Sequence, residues 1–213
     1  MPAHATVSRT RTRLDPEARQ AQILDHAARL IGAEGLASVS MERIARAAGI
    51  SKALVYNYFS SQTVLLRALL KRDLERVQQE QMHAATSATT FPELVRNTTH
   101  IALIEVERRG AFVRRLLNEP SLADAVGTVR THEHDTNVRY LAKRIAKEFK
   151  VSLADALALT EVGLGLTIAA GDYLQKSGAP RADVEAMTVA MIIGAVKAGA
   201  AQCQKRSSSL KRR

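Results

Sequence analysis

Residues 41–59 read MERIARAAGISKALVYNYF, and the spacing of a few small and apolar residues there decides the fold. Counting from Met41, the small residue Ala45 sits four positions on, where two crossing helices must approach closely. Gly49 lies four further on, at a turn that favours a left-handed backbone, which glycine adopts without strain. Val55 follows six later and pins a third helix against the second, with Ile44, Ile50 and Phe59 completing a small core. Ser40 and Ser51 stand where each helix needs a side-chain acceptor for its free N–H groups. This is helix-turn-helix spacing, in which the second helix crosses a nucleic-acid backbone and the third enters the major groove. Two packed amphipathic helices that bind nothing can share it.

The aromatic residues separate these readings. The chain has only four tyrosines and four phenylalanines, yet Tyr56, Tyr58 and Phe59 fall within four positions. With Val55 and Phe59 inward, the outward positions are Lys52, Ala53, Leu54, Tyr56, Asn57 and Tyr58. Lysine donates to guanine O6 or N7, Leu54 suits a thymine methyl, and Asn57 matches an adenine edge. Tyrosine hydroxyls hold phosphates without reading sequence.

Charge points the same way. Of the net +10, eight positive charges sit at the two ends. Residues 1–14 carry Arg9, Arg11 and Arg13, and residues 205–213 carry Lys205, Arg206, Lys211, Arg212 and Arg213, with no acid in either. The three arginines alternate in SRTRTR, so an extended arm places them on one side, ~7 Å apart. Such a strip suits a phosphate backbone or a narrow minor groove.

The remainder reads as all helical, without a strand pattern. Helices are expected over 15–34, 40–48, 51–58, 61–84, 90–109, 111–118, 122–148, 153–176 and 181–203, nine in all. Polar HAATSATT at 83–90 separates the N-terminal unit from the rest, and Thr90-Phe-Pro-Glu, Ser121…Asp124 and Ser152…Asp155 are cap signals. The first residues lack the apolar segment of a secretory signal. No apolar run approaches the ~20 residues that span a bilayer. The single cysteine, Cys203, excludes an internal disulfide and fits a reducing compartment. The expected location is the cytoplasm, with no membrane partner.

Residues 35–69, GLASVSMERIARAAGISKALVYNYFSSQTVLLRAL, resemble the DNA-binding module of the TetR family of bacterial transcriptional regulators. The shared pattern is a helix ending in glycine, Ser/Thr-x-x-x-Ile-Ala, Ala-Gly-Val/Ile-Ser, an aromatic-rich element closing on Phe, and a Leu-rich fourth helix. The match covers the first third of the chain. It implies base contacts from Lys52, Ala53, Leu54 and Asn57, and phosphate contacts from Ser40, Tyr56, Tyr58 and Gln62. Two positions depart from the family pattern: many relatives have glycine at Ala53, and most have lysine at Gln62. Gln62 donates only a neutral hydrogen bond where lysine donates a charge-assisted one.

The resemblance also implies an architecture. A three-helix helix-turn-helix domain (15–62) follows a basic disordered arm (1–14). A long fourth helix joins it to a helical ligand-binding and dimerisation domain (63–204), ending in a basic tail (205–213). The last two helices are apolar over much of their circumference and rich in small residues, so they need cover on more than one side. Gly163, Ala170, Met191, Gly194 and Ala198 are the candidate homodimer interface. Phe112, Leu116, Leu141, Ile145, Leu166 and Tyr173 are candidates for a largely apolar effector pocket, with His100, Asn137 and Asp172 as polar anchors. His132-Glu133-His134 is not a metal site, because residues two apart on a helix point to different sides. GLGLTIAAG at 163–171 lacks the third glycine of a nucleotide loop and lies in a helix. No enzyme, metal or cofactor motif is present. The sequence therefore points to a ligand-responsive repressor that binds a duplex DNA operator as a homodimer. Its rival is a non-specific architectural DNA-binding protein.

Overall fold

The computed structural model describes the backbone of residues 15–117 and 123–210, and their side chains except 38, 109–117, 123–135 and 210. The described residues form eight α-helices, one 3₁₀ turn and no strand. The chain divides into two units between Leu69 and Leu70, inside the fourth helix.

The first unit holds α1 (Pro16–Glu34), the 3₁₀ turn (Leu36–Ser38), α2 (Met41–Ala48), α3 (Lys52–Tyr58) and the first two turns of α4 (Gln62–Ser87). Proline opens α1, where its missing N–H costs nothing, and Gly35 closes it at φ 85°. Ile23, Ala27 and Ile31 form its inward stripe with Leu24. Met41, Ile44, Ala45 and Ala48 are the buried face of α2. Its end is set by Gly49, at φ 65° and ψ 32°, whose N–H bonds back to the carbonyls of Ala45 and Arg46. A residue with a Cβ would strain that left-handed turn. Leu65, Leu66 and Leu69 are buried on α4, which carries the first unit seven residues beyond the expected boundary at 62.

The second unit comprises the rest of α4 with α5 (Phe91–Leu117), α6 (Ala123–Phe149), α7 (Leu153–Ser177) and α8 (Arg181–Leu210). α7 packs on α6 and α8, and α5 packs on α6, α7 and α8. Phe91 meets Phe149 edge to face at 4.9 Å. α8 lies close against α7 at Gly199, where a Cβ would overlap the Leu159 side chain.

Three expectations are corrected. α5 runs continuously through Gly110, where a break was expected, so the described residues hold one helix where two were expected over 90–118. A lone glycine costs a helix about 1 kcal/mol, less than stopping and nucleating again. α4 continues through HAATS to Ser87, with the Thr86 and Ser87 hydroxyls donating to carbonyls of the preceding turn. α8 extends to Leu210, so the segment expected as a tail from 205 is helical that far. There Ser207 and Ser208 donate to the Cys203 and Gln204 carbonyls, and Arg206 pairs with Asp155.

Caps in the second unit involve carboxylates. Ser152 Oγ accepts from the Asp155 N–H at 3.1 Å and donates to Asp155 Oδ2 at 2.7 Å. At the start of α5, Thr90 Oγ1 accepts from the Glu93 N–H at 3.3 Å. Glu93 in turn accepts from the Thr89 N–H and hydroxyl at 2.9 and 2.8 Å, reaching one residue earlier than the expected capping box. The Thr89 bonds hold the Glu93 carboxyl below its ordinary range, and the Ser152 hydroxyl does the same for Asp155. The cap expected at Ser121…Asp124 lies outside the fully described residues.

Candidate nucleic-acid interface

Two serine caps and a glycine turn aim α3. Ser40 Oγ accepts from the Arg43 N–H at 3.2 Å, and Ser51 Oγ accepts from the Leu54 N–H at 3.2 Å. The Ile50 N–H bonds the Ala45 carbonyl at 3.0 Å, locking the turn to α2. Ile50 itself is only half-buried.

Helical spacing then sorts α3 into rows of residues four apart. The row of Val55 and Phe59 is buried, at 0% and 1% exposure. Two neighbouring rows, Lys52 with Tyr56 and Ala53 with Asn57, are exposed, Tyr56 at 44%. The last row, Leu54 with Tyr58, is half-buried at the flank. One face thus presents an ammonium group, a small residue, a phenol and an amide together. That combination can both donate to base edges and hold phosphates.

The phosphate candidates lie at helix starts. Ser40 precedes α2, and its half-buried hydroxyl is already committed to the cap. Gln62 is the first residue of α4, and Ser61 Oγ accepts from the Val64 N–H at 3.2 Å. The free N–H groups of a helix N-terminus are a ready anion site. Arg43 bonds Glu34 at 2.6 Å, and Arg46 reaches Glu42 at 3.4 Å, both near the solvent surface. Arg9, Arg11 and Arg13 lie outside the described residues.

The second unit contains a cavity of about 490 Å³. One face of α4 lines it, through Leu74, Val77, Gln78, Gln81, Met82 and Ala85. Thr98 and Ala102 of α5, Asn137, Tyr140 and Leu141 of α6, and Leu164 and Thr167 of α7 complete the described lining. A 50 Å³ space shares Thr98, Leu141, Leu164 and Thr167 with it and reaches Phe91 and Ile145.

The expected pocket residues therefore divide. Leu141 lines both spaces and Ile145 lines the smaller one. Leu166 packs against the core and lines neither. Tyr173 is 52% exposed, so it belongs to the surface. Phe112 and Leu116 lie where side chains are not described, as do His132, Glu133 and His134. Of the polar anchors, Asn137 lines the cavity, while His100 Nδ1 lies 3.0 Å from Glu185 and Asp172 is exposed. Sequence reasoning missed Gln78 and Gln81. Their signal was available: residues 74, 77, 78, 81, 82 and 85 share one helical face, and two amides interrupt its apolar run.

The candidate interface residues divide as well. Gly163 and Ala170 are buried within the chain, Gly163 facing Ile192, and so are not available to a second copy. Met191, Gly194 and Ala198 are exposed on one face of α8 with Met187. α7 adds the exposed Val162, Gly165, Ile168, Ala169 and Tyr173. By length and composition alone, both helices are also apolar enough to cross a membrane.

The first unit is a helix-turn-helix with an exposed, polar and aromatic recognition face. Residues 23–69, which make the helix-turn-helix unit, match the bacterial regulatory proteins of the tetR family. The chain is 38% identical over 82 residues to the HTH-type transcriptional regulator BetI of Rhizobium meliloti, across 38% of this chain and 40% of that one. It is 30% identical over 105 residues to the nucleoid occlusion factor SlmA of Haemophilus ducreyi, across 49% and 52%. The chain thus spans about half the length, or less, of these curated relatives. A solved tetR-family transcriptional regulator from Streptomyces coelicolor superposes with a TM-score of 0.67 at 21% identity, covering 93% of this chain and 89% of that one. At that identity the likeness concerns the fold.

Proposed function

We propose that the chain is a homodimeric transcriptional repressor of the cytoplasm that binds a pseudo-palindromic operator and is released by a small-molecule effector. The observation that carries this is the sorting of α3: Val55 and Phe59 hold the core while Lys52, Ala53, Tyr56 and Asn57 face out together. Lys52, Ala53, Leu54 and Asn57 meet base edges, while Ser40, Tyr56, Tyr58 and Gln62 hold phosphates. Arg9, Arg11 and Arg13 add a sequence-independent phosphate track.

The exposed apolar faces of α7 and α8 support the dimer. A second copy covers Val162, Ile168, Met187 and Met191 by pairing the two helices of each protomer. Two-fold symmetry then spaces the recognition helices about one DNA turn apart, ~34–36 Å. The cavity supports the effector, which acts by favouring a dimer whose recognition helices no longer match that spacing. By linkage, DNA lowers effector affinity by the same factor.

The basic residues at the two ends, Arg9, Arg11 and Arg13 with Lys205 and Arg206, support a second reading, a non-specific architectural protein that binds DNA with little sequence preference. Selection of bound genomic fragments, followed by competition with scrambled duplex at physiological salt, separates the two. A regulator enriches one inverted-repeat motif and keeps a preference of about a thousandfold or more. Fragments without a common motif, displaced equally by scrambled DNA, would sink the operator reading.

A further inference from the structure

Two basic stretches far apart in sequence meet in the second unit. α8 continues to Leu210, and two side chains fasten its last turns: Gln204 Nε2 donates to the Phe149 carbonyl at the end of α6, and Arg206 pairs with Asp155 of α7. The Lys205 end of α8 is thereby brought to the end of α6, which is itself basic. Residues 139–150 read RYLAKRIAKEFK. Arg139, Lys143 and Lys147 recur every four residues, so they lie within about 80° of one side of the helix. Lys150 follows at the helix end, and these residues and Lys205 are all exposed. None of their side chains forms an ion pair among the described residues. Glu148, the acid of this stretch, lies about 100° round from Lys147. Arg144 is turned inward, to the Tyr140 hydroxyl and the Ala88 carbonyl.

This arrangement works against the helix, because like charges four residues apart repel and destabilise it. The dipole of α6 rewards a cation in the last turn, which accounts for Lys147. It does nothing for Arg139 and Lys143, which lie more than a turn before the end. An arriving anion relieves the repulsion. Its kind follows from what the face lacks: no large apolar side chain is exposed among the described residues of α6. A protein partner needs apolar or aromatic anchors, and a helix lying on a membrane buries an apolar face. A row of cations about 6 Å apart on a rigid rod suits a polyanion with closely spaced charges. Duplex DNA carries one charge per ~1.7 Å of its axis.

We propose that the face formed by Arg139, Lys143, Lys147, Lys150 and Lys205 is a second DNA-binding surface, which holds phosphates without reading sequence. The chain adds Lys211, Arg212 and Arg213 immediately after Leu210. The proposal rests on the reading of the chain as a DNA-binding protein. It gives the second unit a contact of its own, which contributes affinity and no base preference.

The test is fluorescence anisotropy of the full chain on the selected operator, its single-base variants and a scrambled duplex, each across a salt series. The variant is Arg139→Gln/Lys143→Gln/Lys147→Gln. Glutamine is a good helix former and removes the repulsion, so the melting temperature should not fall. A control, Lys71→Gln/Arg96→Gln/Lys176→Gln, removes the same charge from exposed positions elsewhere in the second unit. On the scrambled duplex the variant should bind about tenfold more weakly than the control, with a salt slope shallower by about 0.9 per lost phosphate contact. Preferences among the single-base variants should stay as in the wild type. A loss and slope equal to the control's overturn the proposal. So does wild-type binding to phosphatidylserine vesicles that the variant loses while keeping its hold on DNA, which would make the face a lipid surface. If the wild type shows no operator preference but the variant still loses duplex binding, the operator reading fails and this surface stands. A wild type that binds no duplex overturns both.

Discussion

The recognition face of α3 and the cavity of the second unit are built in opposite ways. Seven consecutive residues make α3, two serine caps and one left-handed glycine aim it, and its side chains sort by helical spacing alone. The cavity exists only where α4, α5, α6 and α7 converge, and its lining runs from Leu74 to Thr167. Local code specifies the first. Tertiary packing specifies the second. The difference teaches where a substitution acts: in α3 it changes one contact, while in the cavity it changes a shape shared by four helices.

The sharpest way to break the comparison is at its buried row. Phe59 is 1% exposed. Phe59→Ala should cost about 3–5 kcal/mol and abolish DNA binding by unfolding the first unit. Denaturant unfolding followed by far-ultraviolet circular dichroism checks this, and a loss below 1 kcal/mol would mean that the row does not hold α3. A smaller effect is expected at the start of α4. Gln62→Lys adds a charge to an N-terminus that already offers N–H groups, so it should tighten DNA binding modestly. It should also steepen the log–log salt dependence by about 0.9 per added phosphate contact. Titrations across a salt series decide this, and an unchanged slope would remove position 62 from the phosphate contacts.

The smallest effect concerns acid. The helices flanking the turn of the first unit are capped by neutral serine hydroxyls, whereas Glu93 caps α5 as a carboxylate with a lowered pKa. Its stabilising contribution is present above the ordinary glutamate pKa of 4.5 and is lost as pH falls through the lower folded value. Glu93→Gln should therefore lower the melting temperature slightly at pH 7 and flatten its fall below about pH 4.5, so that the two proteins converge in acid. A parallel acid profile for both proteins would mean that this cap does not titrate.

The same contrast explains what could be read from sequence. Ala45, Gly49, Ser51 and Val55 fix the helix-turn-helix because each acts on neighbours within a few residues. Gly110 misled because helix propensity is a weak preference that surrounding helix readily overrides. Tyr173 and Leu166 misled for another reason. An apolar residue on a long helix faces a cavity, the core or the surface according to how the neighbouring helices lie, which no local pattern records. Gly163 and Ala170 were expected at the homodimer interface, but their packing partners lie within the same chain. Gln78 and Gln81 were legible as amides on an apolar stripe. That they line a cavity depended on Asn137 and its neighbours, on a helix nearly 60 residues away.

The central claim is that the residues of α3 divide base reading from phosphate holding, and one paired measurement tests it. Lys52→Ala and Tyr56→Phe are each titrated against the selected operator and a set of its single-base variants. Lys52→Ala should lose about 1–3 kcal/mol on the operator and relax preference at one base pair per half-site. Tyr56→Phe should weaken every duplex about equally and leave the preferences intact. If Tyr56→Phe changes base preference and Lys52→Ala weakens all duplexes alike, the division of roles is wrong.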